Sequence, residues 1–542
     1  MNSTAPRIAG HAIVEQLVAF GVDRVFGVPG ESYLDVLDGL YEHSDQIEMV
    51  VTRQEGGAAI MAATHGQITG TPGVCLVTRG PGATNASIGV HIASQDASPM
   101  ILLIGQIPRR VEGRHAFQEV DYQAMFGSIA KEVLEINLPQ RAPEIIARAL
   151  TVAVSGQPGP VVVVLPEDVL LEETDAPIIP KHPRPVPQPE VAAVERAVVL
   201  LSTAKTPLIV AGDIGWNAEA RELLTSFAER SHIPVVTTAR RQDVVDNDSP
   251  AYVGTLGLRT TIGLDQRVAE ADTVVFLATR ADPLTLANAD LHFASNPCRR
   301  YVHVYPDADS IGMVYPADVP IVSAPLPFLC ALPEQIAPRP ERDDWFNRMQ
   351  QGYVEALQAA AQEEPAASYM GVFDTHFGPD TVITVGAGNY TGFAQRHHRY
   401  GRYRSQLGSL SGAMGVGIPA ATAAAFAMPD RDVVAFAGDG CFLMNSQELS
   451  TISRYGLNVL VLVINNSVYG TIREHQQRRY PGRPSGTDLE NPDFVKLAGA
   501  YGARAARVTT PDEFDAALAE LAQAKGLRLI EIDITEGQEQ QT

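Results

Sequence analysis

Short apolar runs without charge recur along the whole of this 542-residue chain. Examples are VCLVT at 74–78, MILLIG at 100–105 and PVVVVLP at 160–166, and stretches of helical periodicity lie between such runs. A strand that is apolar on both faces belongs inside a parallel sheet covered by helices on both sides. The alternation therefore predicts an α/β fold built from doubly wound parallel sheets.

Two proline-rich stretches, at 174–190 and 331–345, interrupt this alternation. Proline fixes φ and ends helices, so the first stretch is typical of an exposed linker, and the two stretches divide the chain. The chain is also too long for a single hydrophobic core. We therefore predict three doubly wound parallel-sheet domains, at 1–172, 190–335 and 350–535, of which the first and third have similar patterns.

Charge and cysteine content exclude several classes of protein. The net charge of -22 gives no basic excess for nucleic acid or for an anionic membrane, so we expect neither as a partner. The four cysteines have no metal-binding spacing, which favours a reducing compartment. The N-terminus lacks a basic segment followed by an apolar one, so we expect no signal peptide and a cytoplasmic location.

The most specific pattern lies at 433–470, where two apolar strands end in polar clusters. The first strand runs into the GDG sequence at 438–440, and the second ends in the NN sequence at 465–466. The carboxyl ends of parallel strands form one edge of a sheet, where ligands bind. Carboxylate, amide and carbonyl oxygens suit Mg²⁺, and the glycines with the following helix suit a phosphate.

This spacing, 27 positions from Asp439 to Asn466, resembles the thiamine diphosphate motif. Other segments resemble the same family, in order along the chain: FGVPGES at 26–32, TRQEGGAAIMA at 52–62, TRGPGATNASIG at 78–89, HAFQEVDYQAM at 115–125, GAGNYTGF at 386–393 and SLSGAMGVGIPAATAAA at 409–425. The chain is identified as a member of the thiamine diphosphate-dependent enzymes that include acetolactate synthase, pyruvate decarboxylase and benzaldehyde lyase. It is most similar in its motifs to acetolactate synthase.

The resemblance implies a pyrimidine-binding first domain, a central domain with an FAD/NAD-type doubly wound fold, and a diphosphate-binding third domain. Asp439, Asn466 and the carbonyl of Val468 are the implied Mg²⁺ ligands. Met414 is the implied support for the bent cofactor. The other implied cofactor contacts are Pro29, Gly30, Gly388, Asn389, Tyr390, Gly412, Gly438, Gly440, Cys441, Tyr469, Gly470 and Thr471.

Glu55 is a single carboxylate at the head of a run of small and apolar residues. On the residues alone, a glutamate at a helix start interacts favourably with the helix dipole. The resemblance implies a catalytic role as well as cofactor contact. Its carboxyl group would bond N1′ of the pyrimidine and so promote formation of the nucleophilic ylid.

The resemblance implies that the ylid attacks a pyruvate-like 2-oxo acid, which is decarboxylated before the product is ligated or released. Gln118, in the AFQE sequence, favours the acetolactate synthase type. Glu31 and His115 are candidate acid–base groups that favour release. A surface or capping glutamate is an equal alternative for Glu31, and a lone histidine such as His115 is more often structural. The alternatives are a 2-oxo acid decarboxylase or an aldehyde lyase/carboligase without FAD, and, outside this class, a non-catalytic cofactor-binding homologue.

Three positions depart from acetolactate synthases. Gln54 replaces a usual histidine, His115 replaces a usual aspartate, and ATRADPLTL at 278–286 replaces an R-F-D-D-like stretch of FAD-binding members. FAD is therefore one expectation, and a central domain without nucleotide is the other.

In the family the first domain of one chain faces the third domain of another chain, which implies a homodimer or homotetramer with sites at subunit interfaces.

Overall fold

The computed structural model describes residues 6–535 except 213, 284, 285, 287, 288, 293 and 364. In this part of the chain the strands form three six-stranded parallel sheets and one two-stranded sheet. Helices flank each large sheet, so the predicted fold class is confirmed. The limits 1–172, 190–335 and 350–535 stay our proposal for the domain boundaries.

The first sheet has the order β3-β2-β4-β5-β7-β6, and β1 pairs with β8 in antiparallel fashion. The strands are β1 (Arg7–Ile8), β2 (Arg24–Gly27), β3 (Glu48–Val51), β4 (Gly73–Val77), β5 (Met100–Gln106), β6 (Glu132–Glu135), β7 (Pro160–Pro166) and β8 (Glu173–Thr174). The helices are α1 (Ala9–Ala19), α2 (Leu34–Glu42), α3 (Glu55–Thr69), α4 (Pro81–Gln95), α5 (Tyr122–Phe126), α6 (Ala142–Val154) and α7 (Glu167–Leu170).

The central sheet has the order β11-β10-β9-β12-β13-β14, which is the strand order of dinucleotide-binding folds. Its strands are β9 (Pro207–Ala211), β10 (Val235–Thr237), β11 (Tyr252–Thr255), β12 (Thr273–Leu277), β13 (Arg300–Tyr305) and β14 (Val319–Val322). The helices are α8 (Val191–Thr203), α9 (Ala218–Ser231), α10 (Leu264–Val268), α11 (Pro325–Ala331) and α12 (Pro340–Ala360). Trp345 and Met349 of α12 are buried in the core of this domain.

The third sheet has the order β16-β15-β17-β18-β20-β19. Its strands are β15 (Val382–Val385), β16 (Gln406–Gly408), β17 (Val433–Gly438), β18 (Val459–Asn465), β19 (Arg504–Val508) and β20 (Leu527–Asp533). Its helices are α13 (Ala366–His376), α14 (Thr391–His397), α15 (Gly417–Ala427), α16 (Asp439–Phe442), α17 (Leu449–Arg454), α18 (Gly470–Arg479), α19 (Phe494–Ala500) and α20 (Pro511–Leu521). Taken in chain order, its strands follow the same topology as β2–β7, so the carboxyl edges of the two domains are built alike.

Short 3₁₀ helices lie at Glu31–Tyr33, Arg109–Val111, Pro139–Arg141, Gln242–Val244, Ala308–Ser310 and Ser446–Glu448. The proline-rich stretch after β8 has no regular element before α8, as expected of a linker. Gln16 on α1 nevertheless fixes it to the first domain, through bonds to the N–H (2.8 Å) and carbonyl (2.9 Å) of Ile179.

The small residues of α3 are explained by close packing. A Cβ atom at Gly89 of α4 would lie 2.3 Å from the Cβ of Ala59, so the two helices touch along their backbones. On another side α3 shares a core with Val416 and Ala420 of the third domain.

None of the described helices combines the length and the apolar character that a membrane span requires.

Candidate active site

Asp439 begins α16 directly after β17 and is only 3% exposed. Its Oδ2 accepts a hydrogen bond from Asn491 Nδ2 at 2.7 Å, and the same amide donates to Asn465 Oδ1 at 3.0 Å. Burial raises the pKa of Asp439, and hydrogen bonds, first that from Asn491, oppose this shift. The third sheet therefore presents a desolvated carboxylate at its carboxyl edge.

The turn after β18 brings further oxygen atoms to this edge. The Ser467 N–H donates to Asn465 Oδ1 at 3.1 Å, the same oxygen that accepts from Asn491, so the turn is joined to the residue that bonds Asp439. Asn466 Oδ1 accepts from the Val468 N–H at 3.2 Å, and the Val468 carbonyl accepts from the Gly470 N–H at 2.8 Å. The structure thus brings the three predicted metal ligands to one edge of the sheet.

Asn491 is a polar residue of this edge that the sequence reasoning missed. Its Oδ1 is buried and has no hydrogen-bond partner among the described residues. A buried acceptor without a partner costs free energy, and a cation or its bound water would satisfy it. Together with Asp439 and the amide and carbonyl oxygens of the turn, this donor set fits Mg²⁺. No motif marks Asn491, because it lies in an irregular segment before α19.

The loop after β15 meets the metal-ligand candidates. Gly388 has φ of +143°, a conformation that favours glycine. Asn389 Oδ1 accepts from Thr471 Oγ1 at 2.8 Å. A Cβ at Gly470 would lie 3.3 Å from Asn466 Nδ2 and 3.6 Å from Asn389 Nδ2, so both amides border one small space. The sequence predicted this gathering of three segments.

Tyr390 and Cys441 lie beneath these loops. The Tyr390 hydroxyl donates to Cys441 Sγ at 3.1 Å and accepts from the Gly386 N–H at 3.0 Å. The Gly415 N–H also bonds Cys441 Sγ, at 3.1 Å. A Cβ at Gly438 would lie 2.7 Å from the Tyr390 ring. Both buried side chains therefore support the glycine turns from inside the core.

Met414 is half-buried and packs against the core of the third domain. Gly412 has φ of +68°, and a Cβ there would meet no atom of the described residues within 4 Å. At Gly440 a Cβ would lie 2.5 Å from the Tyr469 ring, so this turn requires glycine. These positions surround the same edge that carries Asp439.

Glu55 begins α3 at the carboxyl edge of the first sheet and is half-buried. Its Oε2 accepts from Asn85 Nδ2 at 2.9 Å. Gln54 is the N-cap of α3, because its Oε1 accepts the Gly57 N–H at 3.0 Å. The residue that replaces the usual histidine therefore caps the helix that carries Glu55.

Glu448, which the sequence reasoning also missed, reaches the start of α3 from the third domain. It is fully buried, and its carboxylate accepts the Arg53 N–H at 3.2 Å and the Thr451 hydroxyl at 2.6 Å. A Cβ at Gly57 would lie 2.7 Å from its Oε1. Burial raises the pKa of Glu448. The third domain thus fixes the helix of Glu55 by a direct contact.

The turn after β2 carries three predicted residues. Pro29 is exposed, and a Cβ at Gly30 would lie 2.6 Å from Thr78 Cβ. Glu31 is 72% exposed in its side chain and pairs with Arg79 at 3.2 Å. The structure therefore places Glu31 in a surface ion pair at the same edge.

The loop after β5 carries His115 and Gln118, both at positive φ of +54° and +65°. His115 is exposed, and Gln118 lies beside Gly80, where a Cβ would be 2.8 Å from Gln118 Cβ. Glu119 closes the loop by accepting the N–H groups of Gly113 (2.5 Å) and Ala116 (2.8 Å). These two hydrogen bonds lower the pKa of Glu119.

The predicted residues therefore form two groups, one on the carboxyl edge of the first sheet and one on that of the third. No hydrogen bond among the described residues joins Glu55 to the group around Asp439. The central stretch 278–286 includes 284 and 285, which lie outside the described residues. Its Arg280 donates to the carbonyl of Gln95 at 2.5 Å, a contact with the first domain.

These features define a three-domain α/β protein in which the first and third sheets have similarly built carboxyl edges. Comparison with protein families matches all three domains. Residues 7–125 match "Thiamine pyrophosphate enzyme, N-terminal TPP binding domain", 194–332 match its central domain, and 386–532 match its C-terminal TPP binding domain.

Known relatives match along the full chain. The acetolactate synthase large subunit of Corynebacterium glutamicum is 33% identical, over 100% of this chain and 89% of the relative. The probable acetolactate synthase large subunit of Methanocaldococcus jannaschii is 33% identical, over 96% of this chain and 91% of the relative. The acetolactate synthase isozyme 3 large subunit of Escherichia coli is 31% identical, over 96% of this chain and 94% of the relative. The chain belongs to the thiamine pyrophosphate (diphosphate) enzyme family, and the predicted resemblance to acetolactate synthase is confirmed.

Proposed function

We propose that this protein uses Mg²⁺ and thiamine diphosphate to decarboxylate a pyruvate-like 2-oxo acid and to ligate or release the product. The observation that carries the proposal is the oxygen-rich edge around Asp439, in a chain similar over its whole length to acetolactate synthase large subunits. When bound, thiamine diphosphate supplies a nucleophilic carbon and an electron sink. The chain's own residues hold it and move its protons.

Asp439, Asn466 and the Val468 carbonyl are proposed to bind the metal ion. The buried position of Asp439 strengthens its interaction with a cation, because water does not screen the charge. Asn389 and the backbone of Gly388 are proposed to bind the diphosphate, helped by the nearby N-terminus of α18. Met414 would support the cofactor from the side of the core.

Glu55 is proposed to hold a proton at N1′ of the pyrimidine. The hydrogen bond from Asn85 orients its Oε2, which leaves Oε1 for the pyrimidine. Gln54 and Glu448 fix the start of α3 in place. A carboxyl group so positioned can exchange a proton without reorganisation of its surroundings.

Gln118 is proposed to donate a hydrogen bond to the substrate, and Glu31 and His115 to act as acid–base groups. All three lie at the carboxyl edge of the first sheet, Gln118 and His115 in the loop after β5 and Glu31 in the short 3₁₀ helix after β2. Release of the product depends on a proton donor at this edge, whereas ligation depends on space for a second carbonyl compound. The proposed function therefore includes both outcomes.

A second copy of the chain is proposed to complete the site, in a homodimer or homotetramer. Exposed apolar side chains lie near both edges: Ile88 and Phe117 beside Glu55 and Gln118, and Leu443, Met444 and Ile472 beside the Asp439 group. Burial of these side chains between copies would favour association. FAD in the central domain and a cytoplasmic location stay predictions.

Replacement of Glu55 by Gln tests the proposed function. We expect purified wild-type protein to bind thiamine diphosphate with Mg²⁺ and to exchange the cofactor C2 proton with D₂O, as measured by NMR. In Glu55→Gln the exchange rate should fall about 10²- to 10⁴-fold while the cofactor still binds. The surface variant Glu144→Gln is the control, and full exchange in Glu55→Gln would contradict the assigned role.

A product screen then separates ligation from release. The wild-type protein is given pyruvate, 2-oxobutyrate, glyoxylate, benzoylformate and simple aldehydes, and products are identified by mass spectrometry. Ligated hydroxy-oxo acids support the acetolactate synthase type, whereas free aldehydes support a decarboxylase. Binding of the cofactor without turnover of any of these compounds would favour the non-catalytic homologue.

A further inference from the structure

Arg259 is a cation of the central domain that the structure brings to the active-site edge of the third domain. It lies in the tight turn after β11, where the Thr260 N–H bonds the Gly257 carbonyl at 3.1 Å. Its φ of +69° is in the left-handed region, which is unfavourable for a residue with a side chain. Backbone strain of this kind persists only where the surrounding structure holds it.

The guanidinium of Arg259 donates to Oδ1 of Asn389, and Nδ2 of the same amide donates to Glu474 on α18. Asn389 and Asn466 border the same small space at Gly470. The Asn389 side chain therefore lies between Arg259 and Asn466, one of the predicted metal ligands. Arg259 thus connects the central domain with this edge.

Within the part of the chain that the structure describes, no direct partner neutralises the charge of Arg259. Among the described residues, no carboxylate lies within 4.0 Å of its guanidinium, although Glu474 and Glu363 act on it from farther away. The neighbouring Arg396, by contrast, pairs with Glu363 at 2.6 Å. Burial and then Arg396 lower the pKa of Arg259. A half-buried cation of this kind is stabilised by an anion that arrives with a ligand.

We propose that Arg259 binds an oxyanion of the reactants at this edge, either the carboxylate of a 2-oxo acid or the diphosphate of the cofactor. Both groups present planar or tetrahedral oxygens that a guanidinium binds through two N–H groups. The exposed side chain of Leu258 beside Arg259 and that of Ile472 on α18 supply apolar surface for the rest of a ligand. The proposal rests on the proposed function for the identity of the two oxyanions.

The variants Arg259→Gln and Arg259→Lys test this role, and Arg300→Gln is the matched control. Arg300 is also an arginine of the central domain, exposed and paired with Asp318 at the start of β13. Thermal unfolding first establishes that each variant folds. If the carboxylate is the ligand, Arg259→Gln should raise KM for pyruvate about tenfold or more, with partial rescue in Arg259→Lys. The KM for a neutral aldehyde, the C2 proton exchange rate and cofactor affinity should then stay within twofold of wild type.

If the diphosphate is the ligand, the dissociation constant of thiamine diphosphate should instead rise about tenfold or more in Arg259→Gln. Calorimetric titration with Mg²⁺ and inorganic pyrophosphate, and separately with pyruvate, measures oxyanion binding without turnover. Weaker binding of either probe by Arg259→Gln than by Arg300→Gln supports the proposal even if the wild-type protein proves inactive. Equal binding of both probes by the two variants, or no binding of either by wild type, would overturn it.

Discussion

Single residues explain why the edge of the third sheet is proposed to bind a metal ion. Asp439 supplies the charge, but the amide of Asn491 sets its position by bonding Oδ2 and Asn465 Oδ1 together. Asn465 is fixed in turn by Glu531, which is itself paired with Arg507. Such outer contacts orient metal ligands, and their loss usually weakens metal affinity.

Replacement of Asn491 by Ala should therefore weaken Mg²⁺ binding about 10- to 100-fold, because the Asp439 carboxylate loses its orienting partner. The measurement is the Mg²⁺ concentration that half-saturates binding of thiamine diphosphate. Asn458→Ala is the control: its amide oxygen accepts the Gly526 N–H at 2.8 Å, just before β18, at the opposite end of that strand. Equal Mg²⁺ affinity in the two variants would refute the role of Asn491.

At the residue scale, the sequence predicted Asp439, Asn466 and Glu55 because a motif marks each of them. Asn491, Glu448 and Arg259 could not be predicted in this way. Each reaches its site across a long interval of sequence, and none has a local pattern that distinguishes it from a surface or core residue. Gln54 is an intermediate case. The sequence showed that it replaces the usual histidine, but only the structure showed that its side chain caps α3.

At the scale of elements, α3 is the helix that joins the site to the core. The glycines of α3 and α4 allow their backbones to approach, and Glu448 accepts the Arg53 N–H just before α3. A carboxylate at a helix N-terminus is favourable, but this one is also desolvated. The position of Glu55 thus depends on contacts from two domains.

The variant Gly89→Ala tests the helix contact, since its new Cβ would lie 2.3 Å from Ala59 Cβ. We expect a loss of about 1–3 kcal/mol in the free energy of unfolding, seen as a lower Tm. Gly499→Ala in α19, where a Cβ meets no atom within 4 Å, should be neutral or stabilising. A Tm for Gly89→Ala equal to that of Gly499→Ala would contradict the close packing.

The variant Glu448→Gln tests the second contact through pH. Burial raises the pKa of Glu448, so the native state holds this proton more tightly than the unfolded chain does. The stability contributed by this group is therefore full below the ordinary glutamate pKa and is lost as pH rises through the raised value. The Tm of wild type relative to Glu448→Gln should fall with rising pH across this window. A constant difference in Tm would show that Glu448 does not titrate there.

Central strands were the elements that the sequence predicted well. The runs at 74–78, 100–105 and 160–166 became β4, β5 and β7, each within a residue or so of its predicted limits. Edge strands such as β6 (EVLE) and β19 (RAARV) carry charges and are only partly buried. Their sequences lack the continuous apolar run, because one side of an edge strand faces solvent.

At the scale of the whole molecule, the two groups of site residues lie on separate carboxyl edges with the same sheet topology. The proposed function requires a first-domain edge to face a third-domain edge. Exposed apolar side chains lie beside both edges, such as Phe117 and Ile472. They support the proposal that a second copy of the chain supplies the facing edge. The proposed arrangement can be tested with oligomers that combine two different inactive variants of the chain.

Co-expression of Glu55→Gln with Asp439→Asn chains, each with a different affinity tag, is the experiment. If sites are shared, a mixed dimer has one site with both defects and one intact site, so activity should recover to roughly half of the wild-type value per dimer. If each site forms within one chain, the doubly tagged fraction should be as inactive as the single variants. The control is co-expression of two Glu55→Gln chains, each with one of the two tags.

The sequence by itself determined the fold class and the family, and it marked Glu55, Asp439 and Asn466 as predicted site residues. It could do so because apolar runs fix buried strands and because the chemistry of these sites requires particular residues directly after strands. Only the tertiary structure decided that Asn491 orients Asp439, that Glu448 anchors α3 and that Arg259 meets Asn389. These contacts join segments far apart in the chain, and the geometry that brings them together is a property of the packed domains.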